Sequence, residues 1–273
     1  MQLGIFAKTY TRPTVEEVFN AVAADGFTAV HFNFASAGLP SLPDAVDRAL
    51  LDRIRSAAAE RGLAIETLSG TFNMIHPDPT VRRHGLERLR VLAAACAGLG
   101  TRIVTLCTGT RDPENMWRRH PDNDTDAAWQ DLIASMTSAA AIAAEHGVLL
   151  GIEPEPGNVV SSAARARRLL EEIDSDSLGI VLDPANLIEG IPPDRIDATI
   201  DEAFAFLGAR TISAHGKDRD AAGAVVPPGR GIVPWPRFLI GLSAAGFSGP
   251  LILHGLEEAD VPESVAHLRS VGG

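Results

Sequence analysis

Lysine is almost missing from this 273-residue chain: of 24 basic residues only Lys8 and Lys217 are lysines, and the rest are arginines. An ammonium is a compact charge whose pKa can be tuned, which a guanidinium cannot match, so the two places where Lys is kept stand out. Cysteine is scarce as well. Cys96 and Cys107 make neither a CxxC pair nor a disulfide framework, and a reducing cytoplasm is the expected setting. No apolar stretch reaches the ~18–20 residues a membrane span needs. The opening MQLGIFAKTY lacks the basic segment and long apolar core of a signal peptide. Long Lys/Arg runs are absent too, and a net charge of -11 repels a nucleic-acid backbone. Neither a membrane nor a nucleic acid is expected as a partner, which leaves a small molecule.

What is present fits an ordinary globular protein, 45% hydrophobic and 22% charged. Length alone allows one large domain or two small ones. A local unit recurs along it: an amphipathic helix, a glycine, one or two residues, then a short apolar run. It reads VEEVFNAVAADGFTAVHF, LLDRIRSAAAERGLAIETL, LERLRVLAAACAGLGTRIVTLC, MTSAAAIAAEHGVLLGIE, IDEAFAFLGARTISAH and FLIGLSAAGFSGPLILH. Gly26, Gly62, Gly100, Gly147, Gly208 and Gly246 suit a left-handed position after a helix. The runs that follow are rich in Val, Ile and Leu without polar alternation, as strands buried on both faces are. With LGIFA at the start and LGIVLD at Leu178–Asp183 there are eight such runs, separated by helices, so the strands are expected to be parallel. The expectation is a TIM (β/α)8 barrel forming one domain over residues 1–273, with no Pro/Gly/Ser-rich linker to divide it. An open doubly wound sheet is disfavoured, because no GxGxxG follows the first strand and the spacing is even.

A barrel of this kind places function at the C-terminal ends of its strands and in the loops after them. Read in order, those positions hold Lys8; His31 and Asn33; Asn73, His76 and Asp78; Cys107 and Arg111; Glu153, Glu155 and Asn158; Asp183 and Asn186; His215, Lys217 and Asp218; and His254. Both lysines fall on this face. Singly, such a carboxylate caps the next helix and such a histidine packs. Together, Glu153, Asp183, His215 and His254 follow four apolar runs in succession and match the donor set of a divalent cation.

The motifs EPEPGN, DPAN, HGKD and PPGRG resemble those of the xylose isomerase-like TIM-barrel superfamily, in particular its bacterial sugar phosphate isomerase/epimerase-type proteins. The resemblance spans essentially the whole chain. It implies that Glu153, Asp183 and His215 bind a divalent metal, manganese first, with Mg, Co, Fe, Ni or Zn as the other ions. Asn186 stands where many members have a substrate-contacting histidine. The last strand of that branch usually ends in a glutamate that is both ligand and acid/base; here the place holds His254, read as fourth ligand or as base. Glu257 and Glu258 come too late to replace it. The superfamily also holds cyclitol dehydratases, enzymes acting on keto-glycosides, and apurinic-site endonucleases. The extra endonuclease histidines would fall near Gly70 and Cys107, so DNA repair is not expected.

The activity implied is a metal-dependent sugar isomerisation or epimerisation through an enediolate, with Glu153, Glu155, Lys217 and His254 as the proton-transfer set. A metal-dependent lyase or dehydratase acting on a keto-sugar or inosose is the alternative, because two-base epimerisation wants a second carboxylate. A non-catalytic carbohydrate-binding barrel is the third reading. Substrate contacts are expected from Lys8, Asn73, His76, Arg111, Trp117, Asn186 and Arg230. Trp117 lies in TGTRDPENMWRRHPDN, a loop long enough to form a lid. Arg111 suits a carboxylate or phosphate, and Arg230 lies where such barrels often bind phosphate. The partner is a small carbohydrate; a homo-oligomer is left open.

Overall fold

Eight parallel strands close into a barrel in the structure, a computed structural model that describes residues 1–272. The strands are β1 (Leu3–Phe6), β2 (Ala29–Phe32), β3 (Ala64–Ser69), β4 (Ile103–Cys107), β5 (Leu149–Glu153), β6 (Leu178–Leu182) and β7 (Thr211–Gly216), and the eighth is β10 (Leu251–Leu253). Closure runs through β1, which pairs with β2 on one side and β10 on the other. Between β7 and β10 lies a short antiparallel pair, β8 (Asp218–Arg219) with β9 (Val225–Val226), which the repeat pattern does not announce. The helices in chain order are α1 (Val15–Ala24), α2 (Arg48–Ala59), α3 (Pro79–Leu99), α4 (Asp126–His146), α5 (Ala163–Ile173), α6 (Pro184–Leu187), α7 (Ile196–Leu207), α8 (Trp235–Ala244) and α9 (Val261–Val271). None of the described helices is long and apolar enough to cross a membrane.

Local chemistry starts and stops these elements where the repeat unit demands. Thr14 and Glu17 form a reciprocal capping box at the start of α1, satisfying two backbone donors that the first turn would otherwise leave free. Asp78 caps α3, with Pro79 in the first turn, and Gly100 ends it in the left-handed region at φ 80. Along α4 the buried residues Trp129, Leu132, Met136, Ala139 and Ala143 recur every three or four positions, the spacing of one helix face. Strands β2, β4, β6 and β10 are buried at every position, which is why their sequences do not alternate.

Five of the six glycines read as left-handed helix ends take a positive φ; Gly208 does not. Its φ is -52, and the chain passes from α7 through a 3-10 turn at Gly208–Arg210 straight into β7. The small residue serves packing there: a Cβ on Gly208 would lie 3.1 Å from the Cβ of Ala245.

Leu150 lies on β5 with β4 and β6 on either side, and its side chain is fully buried. Leu150→Ala is expected to cost about 2–5 kcal/mol. In urea unfolding this appears as a lower midpoint with an unchanged slope. A loss below ~1 kcal/mol would mean that the barrel wall collapses around the cavity.

Candidate active site

Four neighbouring strands, β5, β6, β7 and β10, deliver the polar groups. Glu153 is the last residue of β5, Asp183 follows β6, His215 lies near the end of β7 and His254 follows β10. One oxygen of Asp183 does cap a helix, accepting from Ala185 N at 2.9 Å and Asn186 N at 3.3 Å at the start of α6. Capping and ligation are therefore not rivals here, because the other oxygen, Oδ2, is free of that duty.

One donor atom each of Glu153, Asp183 and His215 lies within 4.8 Å of the other two. His215 Nδ1 is 3.1 Å from Glu153 Oε1, which also accepts from Asn186 Nδ2 at 3.0 Å. His215 Nε2 is buried with no hydrogen-bond partner, and Asp183 Oδ2 makes an ion pair with Lys217 but no aligned hydrogen bond. Lys217 Nζ is 3.2 Å from Asp183 Oδ2, 3.9 Å from Glu155 Oε1, and donates to Asn186 Oδ1 at 2.6 Å. Buried acceptors without donors are rare because leaving them unmet is costly. Two carboxylates and an imidazole, with an unmet nitrogen among them, fit a divalent cation. The nitrogens of His254 do not join that group.

Charge is unevenly shared. Burial works to raise the Glu153 pKa, but His215, Lys217 and His254 outweigh it and hold the carboxylate below its usual range. Glu155 goes the other way, pushed up to about 8 by burial and by the charge of Glu153. Burial also raises Asp183, with Lys217 opposing it. Burial disfavours the charged form of Lys217, yet Asp183, Glu155 and Glu153 together hold its pKa above the ordinary value. The site thus contains one carboxyl group kept ionised and a neighbour biased towards the protonated form, the pattern of an acid and a base.

An imidazole wall borders these groups. The His215 and His254 rings are stacked 5.2 Å apart with planes 3° from parallel; His254 stacks in turn on Phe6, and His215 on His31. Phe6 and His31, register partners on β1 and β2, close the circuit at 4.5 Å. His31 Nε2 is 3.1 Å from Thr105 Oγ1. Burial foremost, then the neighbouring His215 and Lys217 charges, bring His254 down to about 3, so its ring is neutral.

Above this floor lies a cavity of about 440 Å3, lined by Lys8, Trp117, Glu153, Glu155, Asn186, His215, Lys217 and His254 among others. Eight of the residues read from the sequence as site groups therefore meet in one place, with Asp183 directly beside them. Trp117 is 53% exposed at the cavity wall. Asn73, His76, Arg111 and Arg230, expected to contact substrate, do not line the cavity. The buried Asn73 amide ties down the loop after β4, donating to Thr110 O at 2.8 Å and Asp112 O at 3.4 Å and accepting from Thr110 N and Ile75 N. His76 Nε2 meets Pro113 O, and Arg111 pairs with Asp131 at 2.6 Å. Arg230 turns outward to Asp260 and Glu263. The backbone around Arg230 is instead organised by Asp218. Its carboxylate accepts from the backbone N–H groups of Arg219, Gly229, Gly231 and Val233 and from Trp235 Nε1.

Cavity residues that the strand-end reading left out of the site include Phe6, Ser69, Thr71, Thr105 and Arg219. His31 was in view at its strand, but no chemistry was assigned to it. The available signal was a single polar residue inside each otherwise apolar run AVHF and IVTLC, His31 and Thr105, whose side chains meet at 3.1 Å.

Residues 19–271 match the family model described as Xylose isomerase-like TIM barrel. No curated protein matches the chain. Among solved structures, the apo form of 3-keto-D-glucoside 4-epimerase, YcjR, from E. coli is similar with a TM-score of 0.77 at 18% identity, over 99% of each chain. D-psicose 3-epimerase with D-tagatose from Clostridium cellulolyticum H10 gives 0.75 at 17% identity, over 100% of this chain and 99% of that one. The IOLI protein with a binding zinc atom gives 0.74 at 16% identity, over 99% and 96%. At these identities the likeness is one of fold.

Asn73 acts as a brace rather than a substrate contact, and Asn73→Ala tests this. Removing the amide leaves buried backbone groups unmet and is expected to cost about 1–3 kcal/mol of stability. Divalent-metal uptake, measured by calorimetry, is expected to stay within about twofold of the parent, because no metal-site atom is touched.

Proposed function

Because the chain belongs to the xylose isomerase-like TIM-barrel family, we propose that it is a divalent-metal-dependent isomerase or epimerase of a small carbohydrate. The observation that carries the reading is the convergence of Glu153, Asp183 and His215 within 4.8 Å, with His215 Nε2 buried and unpartnered, beside a cavity of sugar size. Two of the similar structures are named as sugar epimerases and one as holding zinc, which supports both halves of the proposal. Manganese is the first choice of ion, and the reducing cytoplasm the setting, where Cys96 and Cys107 remain free thiols.

Glu153, Asp183 and His215 would hold the ion, which when bound would supply Lewis-acid polarisation of a carbonyl and stabilisation of the negative charge of an enediolate. The chain's own groups handle the protons. Glu155 borders the cavity with a carboxyl pKa near 8 and is suited to carry a proton between neighbouring carbons of a sugar. Lys217 fixes Asn186 and Asp183 and offers its ammonium to a developing oxyanion. His254, neutral and with Nδ1 unpartnered, is the second proton-transfer group. Trp117 provides a ring face against which the apolar side of a sugar stacks.

Elimination of water from a keto-sugar or inosose is the second reading. The observation that favours it is the opposed bias of Glu153 and Glu155, because dehydration needs one base and one acid rather than two matched bases.

Purified protein is expected to carry about one divalent ion per chain by elemental analysis, and Asp183→Ala to lower the affinity at least ~100-fold. Protein that takes up no manganese on titration contradicts the proposal. Ketoses and inososes incubated in heavy water separate the two reactions. Deuterium gained at carbon without loss of water marks isomerisation or epimerisation, and loss of water marks the lyase.

A further inference from the structure

We propose that the cavity selects an anionic carbohydrate, a sugar bearing a carboxylate or a phosphate group, and that Lys8 holds that group. The inference rests on the metal site above and deepens it by naming the substrate class.

The argument is one of charge pairing. Lys217 lies 3.2 Å from Asp183 and 3.9 Å from Glu155, and Arg219 is paired with Glu189 at 2.5 Å. Of the lysines and arginines lining the cavity this leaves one, Lys8, with no carboxylate at ion-pair distance among the described residues. Arginines on the same face are spent on internal carboxylates: Arg111 on Asp131, Arg118 on Asp112, Arg230 on Asp260. With 35 acidic residues available and a net charge of -11, an unpaired ammonium beside a cavity is a local reversal of sign.

Placement supports the same role. Lys8 follows β1 directly, and its Nζ is 6.0 Å from the centroid of Phe6. Phe6 stacks on His254, which stacks on His215. The ammonium therefore stands at the far end of a wall of rings that begins at the metal ligands. That arrangement suits a substrate whose reacting carbons meet the ion while its charged substituent lies away from it. The cavity lining also includes Asn33, Ser41 and Thr71, neutral polar residues available to hydroxyl groups. A flexible, exposed lysine can follow the oxygens of a carboxylate or a phosphate, so the shared chemistry is an oxyanion.

The test is calorimetric titration of manganese-loaded protein with D-fructose, D-fructose 6-phosphate and 5-keto-D-gluconate. At least one anionic probe is expected to bind about tenfold or more tightly than D-fructose, and the two arms tell phosphate from carboxylate. In Lys8→Gln the preference is expected to shrink to under ~3-fold with manganese content unchanged; Lys8→Arg keeps most of it, and added salt weakens it. Lys8 is exposed and makes no bond the fold needs, so the variants fold. Equal or tighter binding of D-fructose, a preference that survives Lys8→Gln, or no binding of either anionic probe at millimolar concentration overturns the proposal. Manganese content is read in the same samples, so failure of the metal site is seen separately from failure of charge selection.

Discussion

Glu153, Asp183 and Glu155 bring three carboxyl groups to adjacent strand ends, with the single ammonium of Lys217 reaching towards all of them. Burying like charges together is costly unless positive charge or protons offset it. The fold meets the cost in three ways: Lys217 lies against Asp183, Glu155 is biased towards its protonated form, and His215 faces Glu153. Each compensation also leaves a tool for the proposed chemistry: an ammonium beside a carboxylate, a carboxyl biased towards its protonated form, and a buried His215 nitrogen with no hydrogen-bond partner. The proposed function follows from how that charge is distributed.

The strands themselves impose the other half of the arrangement. Because they are buried on both faces, polar groups emerge at their carboxyl ends, and their parallel order puts Glu153, Asp183 and His215 on consecutive strands. Register pairing fixes Glu153 at the end of β5, and α6, directly after β6, holds Asp183 by its cap. Loops then close the cavity separately, the one after β4 tied by Asn73 and Arg111, the one after β9 knotted around Asp218.

Much of this was legible in the sequence, and the exceptions have physical causes. The eight apolar runs and the groups that follow them could be read directly, since period and punctuation are local properties. Glu153, Asp183, His215 and Lys217 came together because a barrel converts sequence order into spatial neighbourhood. Asn73, Arg111 and Arg230 could not be placed, because their partners Thr110, Asp131 and Asp260 are chosen by tertiary proximity. An arginine in a loop after a strand looks the same whether it faces a ligand or an internal carboxylate. His254 kept its place at the strand end but turned its ring into a stack, a matter of side-chain direction that spacing does not encode. Gly208 illustrates the reverse case, where the residue type was read correctly as special but for the wrong demand: close packing, not handedness.

The Asn73 brace has an evolutionary corollary. Its four hydrogen bonds run to backbone groups of Thr110, Asp112 and Ile75, so the path of the lid is inherited independently of the side chains the lid displays. Met116 and Trp117, which face the cavity from that lid, are free to be exchanged without renegotiating its course. On the proposed function, a lineage built this way can change substrates one cavity residue at a time while the groups at the strand ends stay in place. The barrel itself persists over such distances, since similar structures less than a fifth identical cover 99% or more of this chain.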